Sequence, residues 1–327
     1  MSGMRVSEFM LQLIQSLIKE RDITESSANQ YLQTLHSLND KKPFSNLAWL
    51  KNTAAVEKVL EGYAPATQRG YTTAIVSALS LFKEKPTYKK VYKYWYDKMM
   101  ASRKTTDESG EKSEKQSANW IDWNEVQRVK GDLRTEALKV KDSKHITPAQ
   151  LDFLLKYVVL SLYTDVPPRR NADYADMYVV KKWKEDMDKT KNYLDLATRQ
   201  FIFNKYKTAK TYGEQRVSIP NDEDKPLMDI INLYLKHHPL NRPKVGEYKF
   251  LVLRDGSMMN SVNGITRILN KIFGKKIGSS MLRHIYLTGK YGTEIAEMKK
   301  DSDEMAHSLG QQKAYVLHDA PTISHVE

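Results

Sequence analysis

A polar stretch one third of the way along the chain separates two segments that can each build a hydrophobic core. Residues 104–118 (KTTDESGEKSEKQSA) contain no large apolar side chain, and such a composition is typical of a flexible linker or a long exposed loop. The chain has 327 residues, which is enough for two domains. We therefore predict domains at residues 1–104 and 119–327, joined by a linker at residues 105–118.

The first segment shows the apolar spacing of helices and no strand pattern. Residues 7–21 carry apolar side chains three and four positions apart, and Ser7 is suited to cap the helix that they predict. Similar patterns predict helices at residues 24–38, 47–60, 65–82 and 88–103. The fold expected for this segment is an all-helical bundle.

The fifth predicted helix and its approach are the most basic part of that bundle. Lysines and an arginine alternate there with tyrosines and a tryptophan. The basic residues are Lys83, Lys85, Lys89, Lys90, Lys93, Lys98, Arg103 and Lys104. Such a face can meet the phosphates and sugars of a duplex. It also suits an amphipathic helix with a solvated lysine face and an aromatic core face, and both interpretations can hold together.

The second segment mixes helices with a few strands. Apolar spacing predicts helices at residues 120–139, 147–162, 226–236, 262–273, 281–291 and 295–309. A strand is expected at residues 177–183 and further extended chain at residues 193–203, followed by a hairpin over residues 205–220 with Gly213 at its tip. The predicted fold class of the whole chain is mainly α with a small antiparallel β-sheet.

Composition narrows the classes of function. The formal net charge is +12 and the isoelectric point about 9.4, which favours nucleic acid as a partner and an anionic membrane surface second. Cysteine is absent, so disulfides, Cys-ligated zinc and a thiol nucleophile are excluded. No apolar run reaches the roughly 18 residues of a membrane span, and residues 1–21 lack the apolar core of a signal peptide. The pair His237-His238 has no third ligand in view, so we interpret it as the end of a helix, and we predict no metal site.

Four clusters in the second segment hold side chains that can bind or attack a phosphate. A tyrosine keeps its proton until about pH 10, so it needs a nearby base before it can act as a nucleophile. Each of these residues alone is more often a surface or packed residue. The clusters are Arg169 and Arg170 after a double proline, Lys207 and Lys210 in the predicted hairpin, Arg283 with His284, and His307 with Tyr315.

In that order along the chain, the set resembles the tyrosine recombinases, which include the phage-type integrases, and the related type IB topoisomerases. The run from Arg170 to Tyr174 looks like the Arg-x-x-Glu-Leu helix start of that family, with Arg169 as the fallback. Three further matches are Met281-Leu-Arg-His284 with Leu-Arg-His, Ala306-His-Ser308 with Gly-His-Ser, and Ala314-Tyr315 with Ile-Tyr. More loosely, Thr67 to Tyr71 resembles a helix of the family's core-binding domain.

The resemblance implies a helical core-binding domain, an α+β catalytic domain and a site-specific recombinase that acts on double-stranded DNA. Arg170 and Arg283 would grip the scissile phosphate, and Tyr315 would attack it to form a 3′-phosphotyrosine bond. Lys210, with Lys207 as the alternative, would protonate the departing 5′ oxygen, and His307 would orient or deprotonate the tyrosine. No cofactor, metal, ATP or small-molecule substrate is expected. A homotetramer on DNA is implied, inside the cell with DNA: in the cytoplasm or nucleoid, or in a host nucleus or viral factory.

Two departures from the family pattern keep rival functions open. Ser280 stands where the family usually has His or Lys three residues before the second arginine, and the spacing from His307 to Tyr315 is slightly short. A serine can donate a hydrogen bond to a phosphate oxygen but carries no charge. The rivals are a type IB topoisomerase and a catalytically silent DNA-binding protein of the same fold.

Overall fold

The computed structural model describes residues 5–107, 112–242, 245–253, 257, 259 and 262–306. The chain divides into two compact units, Met1–Glu111 and Lys112–Glu327. Each unit has its own cluster of buried apolar side chains. No helix in the described residues is both long and apolar enough to cross a membrane.

The first unit is a bundle of helices. Its elements are α1 (Glu8–Arg21), α2 (Glu25–Leu38), a 3₁₀ helix (Ala48–Lys51), α3 (Thr53–Glu61), α4 (Pro65–Ser80) and α5 (Pro86–Asp107). Ser7 and Thr24 cap α1 and α2, because each side-chain oxygen accepts a hydrogen bond from a backbone N–H in the first turn. The predicted helix at residues 47–60 is split, since Asn52 ends the 3₁₀ helix and caps α3.

The core of this bundle is mostly aliphatic and includes two buried rings, Phe44 and Trp95. Trp95 on α5 is fully buried, and its indole Nε1 donates to the backbone oxygen of Leu50 over 3.3 Å. That bond satisfies the one polar atom of the ring. The opposite face of α5 carries exposed lysines. The helix is therefore amphipathic: part of its aromatic face is buried, and its lysine face is exposed to solvent.

Three helices of the second unit pack against a fourth helix that is mostly buried. The helices of this unit are α6 (Glu114–Asn119), α7 (Trp123–Leu138), α8 (Pro148–Ser161), α9 (Asn171–Ala175), α10 (Ala209–Tyr212), α11 (Leu227–Lys236), α12 (Val262–Phe273) and α13 (Ser279–Glu304). A capping box between Thr147 and Gln150 starts α8. This helix is buried on most sides because it packs against α7, α11 and α12.

A five-stranded sheet completes the second unit. Its strands are β1 (Tyr178–Val180), β2 (Tyr193–Asp195), β3 (Gln200–Phe203), β4 (Gln215–Ser218) and β5 (Glu247–Lys249), in the order β4-β3-β2-β1-β5. The sheet is mixed, so the prediction of an antiparallel sheet was wrong in one pair: β1 and β2 run parallel. Parallel neighbours need a connection of about a dozen residues, and residues 181–192 supply one that sequence patterns do not reveal.

Three further predictions differ from the structure. The hairpin predicted over residues 205–220 is instead formed by β3 and β4, and α10 lies in the connection between them. Two helices predicted at residues 281–291 and 295–309 are one continuous helix up to Glu304. Part of the predicted linker is helical, because α5 extends to Asp107 and α6 begins at Glu114. The side chains of Arg103 and Lys104 lie outside the described residues.

Candidate functional site

A basic cleft in the second unit brings together several of the residues singled out in the sequence. Its volume is about 660 Å³. Among the described residues, no aspartate or glutamate lines it. The ionisable side chains that do are Lys115, Arg170, Lys207, Lys276, Arg283 and His284. Grouped cations without carboxylates favour a ligand with several negative oxygens.

Arg170 lies at the start of α9, where its extended backbone takes the N-cap position. The next residue, Asn171, fixes this helix start, since its side chain accepts from the Tyr163 hydroxyl (2.7 Å) and donates to Thr266 Oγ1 (2.9 Å). The Arg170 guanidinium is half-buried and makes no hydrogen bond or ion pair within the described part of the chain. It is thereby available to an anion in the cleft.

Arg169 is engaged in packing and hydrogen bonds of its own. Its Nε donates to Asp173 Oδ2 (3.0 Å) and its Nη1 to Gln215 Oε1 (2.8 Å). The guanidinium carbon lies 3.9 Å from the ring centroid of Phe203 and 5.0 Å from that of Tyr206. Arg169 therefore ties α9 to the β3–β4 connection, and this geometry favours Arg170 as the ligand-binding arginine.

Asp173 is the buried carboxylate to which Arg169 is hydrogen-bonded. Its side chain is almost inaccessible to solvent, and Oδ1 has no hydrogen-bond partner among the described residues. Burial raises the pKa of this carboxyl, while the neighbouring Arg169 acts in the opposite direction. The carboxylate thus depends on Arg169 for its stabilisation.

Arg283 is held by its own helix. Its Nη2 donates to the Oγ of Ser280, one turn earlier on α13, over 3.1 Å. Its Nε is buried without a partner among the described residues. Ser280 therefore orients the arginine without adding charge to the cleft.

The two candidate lysines are separated by the structure. Lys207 lines the cleft with Arg170 and Arg283. Lys210 lies on α10 and does not line this cleft. The geometry therefore favours Lys207, which the sequence pattern ranks second, because the connection forms a short helix rather than a plain turn.

Asn192 also attaches α9 to the β3–β4 connection, which carries both candidate lysines. No sequence motif indicated this residue. Its Nδ2 donates to the backbone oxygens of Asp173 and Lys205, both over 2.9 Å. Its Oδ1 accepts from the backbone N–H groups of Asn204 (3.0 Å) and Lys205 (2.8 Å). Arg169 and Asn192 together fix the approach to Lys207 relative to α9. Only a fold can reveal this, because Asn192 ends a run of polar residues.

The short helix α6 forms one wall of the cleft. Ser113, Lys115 and Gln116 line it, although the sequence predicts a linker there. The wall is attached to the segment before α13, since Asn119 Oδ1 accepts from the Lys276 backbone N–H over 3.0 Å. The capping box of Ser113 and Gln116 explains why a helix forms in such a polar stretch.

The histidines and the candidate nucleophile fall in different places. His307 and Tyr315 lie outside the described residues. His284 is exposed at the cleft. His238 is buried after α11, where its ring nitrogens bond to the Phe250 oxygen (3.1 Å) and the Leu240 N–H (3.2 Å). Burial lowers its pKa to about 4. No group of three or more metal-ligating side chains occurs in the described ranges.

The side chains that line the cleft are chemically suited to bind a phosphodiester. Comparison with known proteins adds nothing to that argument. No family model, curated protein or solved structure matched the chain. Two guanidiniums present planar sets of donors that fit phosphate oxygens, and an ammonium beside them can donate a proton. Buried tyrosines nearby are unsuited to attack, because burial raises the pKa of Tyr163 and Tyr174 well above the ordinary value.

Proposed function

We propose that the protein breaks and rejoins DNA as a site-specific recombinase of the tyrosine recombinase type. The observation that supports this most is the basic cleft, in which Arg170, Lys207 and Arg283 meet without a carboxylate among the described lining residues. These three lie far apart in the chain, and they are the types and the order that the sequence resemblance requires. The order of motifs and the cleft are independent observations.

The proposed chemistry follows from the residue types. Arg170 and Arg283 hold the non-bridging oxygens of one phosphodiester and stabilise the charge that builds in the transition state. The Tyr315 oxygen attacks phosphorus as His307 takes its proton, so a phosphotyrosine bond forms and the bond to the 5′ oxygen breaks. Lys207 gives that leaving oxygen a proton. Because the energy of the broken bond is kept in the phosphotyrosine, rejoining needs no ATP.

The proposal includes two DNA-binding domains and an assembly. The helical first unit acts as the core-binding domain, with the lysine face of α5 on the duplex backbone. The second unit is the catalytic domain. Strand exchange between two duplexes requires several active sites, so we propose a homotetramer on DNA.

Covalent capture tests the central claim. The full chain is incubated with a library of nicked duplexes, in which cleavage releases a short fragment and traps the protein on DNA. We expect an adduct that survives denaturant in the wild type and is absent in Tyr315→Phe. Arg170→Ala and Arg283→Ala should each slow adduct formation by about 10²- to 10³-fold, as for loss of one oxyanion donor. Sequencing the trapped DNA gives the cognate site.

A modified leaving group decides between the two lysines. If Lys207 protonates the 5′ oxygen, Lys207→Ala slows cleavage, and a 5′-bridging sulfur restores the rate because a thiolate leaves without a proton. The matched control is Lys210→Ala, for which we expect neither the loss nor the rescue. Rescue of Lys210→Ala alone would reverse this assignment.

The same assays separate the rival functions. Salt-dependent DNA binding without any adduct would indicate a silent DNA-binding protein and overturn the enzyme proposal. An adduct together with relaxation of supercoiled plasmid, but without exchange between two labelled sites, would indicate a topoisomerase.

A further inference from the structure

A second, smaller cavity adjoins the basic cleft at the two arginines. Its volume is about 230 Å³, and it shares Arg170 and Arg283 with the basic cleft. Within the described residues, its remaining lining differs from that of the cleft because it includes two tyrosine rings, Tyr206 and Tyr212, and no lysine. Arg169, Thr208 and Gln215 also line it. Asp173 also lines it, with Oδ2 accepting from Arg169.

Tyr212 is the most unusual of these side chains. It is 65% exposed, the largest exposed fraction among the exposed large apolar side chains of the described residues. Its position at the end of α10 is fixed by neighbours. The Tyr206 hydroxyl donates to the Gly213 oxygen over 2.6 Å, and the Gly213 N–H donates to the Ala209 oxygen over 2.8 Å. Gly213 has a φ of +65°, which suits glycine and ends the helix there.

An aromatic ring held in solvent beside a phosphate site is typical of a surface that contacts nucleic acid. Every nucleobase has a π face, and bases stack on exposed aromatic side chains with little regard to sequence. A phosphate and its base are joined through a single sugar. A nucleotide whose phosphate lies between Arg170 and Arg283 therefore places its base close to one of the two cavities, and among the described lining residues only the smaller one has tyrosine rings.

We propose that the smaller cavity binds the nucleobase next to the phosphate held by the arginines, with the ring of Tyr212 stacked on it. Gln215 Oε1 accepts from Arg169 (2.8 Å), so its amide nitrogen is the side that can donate to an acceptor on the base edge. The Thr208 hydroxyl can donate or accept. This subsite rests on the proposed DNA-binding function and adds a residue that none of the sequence motifs contains.

Fluorescence of an analogue base tests the stacking directly. Full-length protein is titrated with duplexes that carry 2-aminopurine at successive positions around the captured cleavage site, or around a site selected by binding. We expect stacking to quench the fluorescence at one position in the wild type and in Tyr212→Phe, which keeps the ring. In Tyr212→Leu the quenching should be lost and Kd should weaken by about 10-fold.

An abasic substrate identifies which part of the nucleotide is contacted. When the base at the quenched position is removed, the wild type and Tyr212→Leu should bind equally, since the two changes delete the same contact. A loss in Tyr212→Leu that persists on the abasic duplex would overturn the proposal in favour of a backbone contact. Equal Kd values for Tyr212→Leu and Tyr212→Phe on intact DNA would overturn it as well.

The outcomes also separate this subsite from the proposed function. If Arg170→Ala weakens DNA binding and Tyr212→Leu does not, the subsite is wrong and the DNA-binding proposal stands. If the wild type binds no DNA, both are wrong. Thermal unfolding of Tyr212→Leu is the control for folding, and we expect no change because the side chain is exposed.

Discussion

Two neighbouring arginines show how residues of the same type take different tasks. Arg169 stacks on Phe203 and is hydrogen-bonded to Asp173 and Gln215. The Arg170 guanidinium lines the cleft and makes no hydrogen bond or ion pair with any residue that the structure describes. The first arginine stabilises the fold around the site, whereas the second is placed for a ligand.

Substitution of the two arginines should therefore have opposite consequences. We expect Arg169→Ala to lower the free energy of unfolding by about 2–4 kcal/mol, because it leaves the buried Asp173 carboxylate unpaired. Arg170→Ala should change it by less than about 0.5 kcal/mol, while weakening DNA binding. Urea denaturation and a DNA titration on both variants check this.

Two control measurements sharpen that comparison. Arg169→Lys should recover only part of the lost stability, since an ammonium cannot stack on Phe203 and bond to two partners in one plane. Equal losses of stability in Arg169→Ala and Arg170→Ala would contradict the division of roles.

Sequence reasoning selected several residues that line the cleft, but not the contacts that hold them in place. It selected Arg170 and Arg283 from local motifs, and both line the cleft. It ranked Lys210 above Lys207 because a turn was expected where α10 forms. It had no means of finding Asn192 or the partners of Arg169, since those contacts depend on how β3, β4 and α9 pack rather than on any local pattern.

At the scale of elements, α13 contributes more of the described lining residues of the cleft than any other helix. Ser280 and Arg283 are in its first turns, and it then packs on the start of α7, where Tyr286 meets Trp123 edge-on with ring centroids 5.4 Å apart. Sequence patterns divide this helix because glycine disfavours helices by roughly 1 kcal/mol. Packing overrides that preference: a side chain at Gly289 would lie 2.6 Å from Trp123 Cβ.

A pair of glycine substitutions on α13 tests this close approach. Gly289→Ala should lower the free energy of unfolding by about 1 kcal/mol, because the clash with Trp123 outweighs the gain in helix propensity. Gly292→Ala is the matched control: its new methyl group would meet only Thr288 Cγ2, at 3.4 Å, so it should stabilise by up to about 1 kcal/mol. Chemical denaturation of both measures the difference. Stabilisation by both substitutions would show that α13 does not pack on α7 in this way.

The fold class was predicted correctly in its coarse form for a related reason. Helices with strong apolar spacing and a capping residue, such as α1, α2 and α8, begin at the positions that their sequences indicate. The short helices α6 and α10 were not predicted. They have six and four residues, too few for a helical period to appear in the sequence. The parallel pairing of β1 and β2 is likewise a property of the connection, not of either strand.

At the scale of the whole molecule, only some of the basic side chains behind the net charge of +12 are available to bind an anionic ligand. On α5, Lys93 is paired with Asp97 over 2.7 Å and Lys98 with Glu57. Lys89 and Lys90 are exposed and make no ion pair within the described part of the chain. The basic face predicted from the sequence is therefore narrower than its lysine count suggests, because part of its charge is neutralised within the first unit.

The salt dependence of DNA binding measures which of these charges reach phosphates. Each cation that neutralises a phosphate contributes about 0.9 to the slope of log K against log salt concentration. The double variant Lys89→Gln, Lys90→Gln should therefore lower the magnitude of that slope by about 2. Lys93→Gln is the control and should lower it by much less, because Asp97 already opposes the charge of Lys93. An unchanged slope in the double variant would show that the α5 face does not contact DNA phosphates. The cleft of the second unit would then be the main phosphate contact.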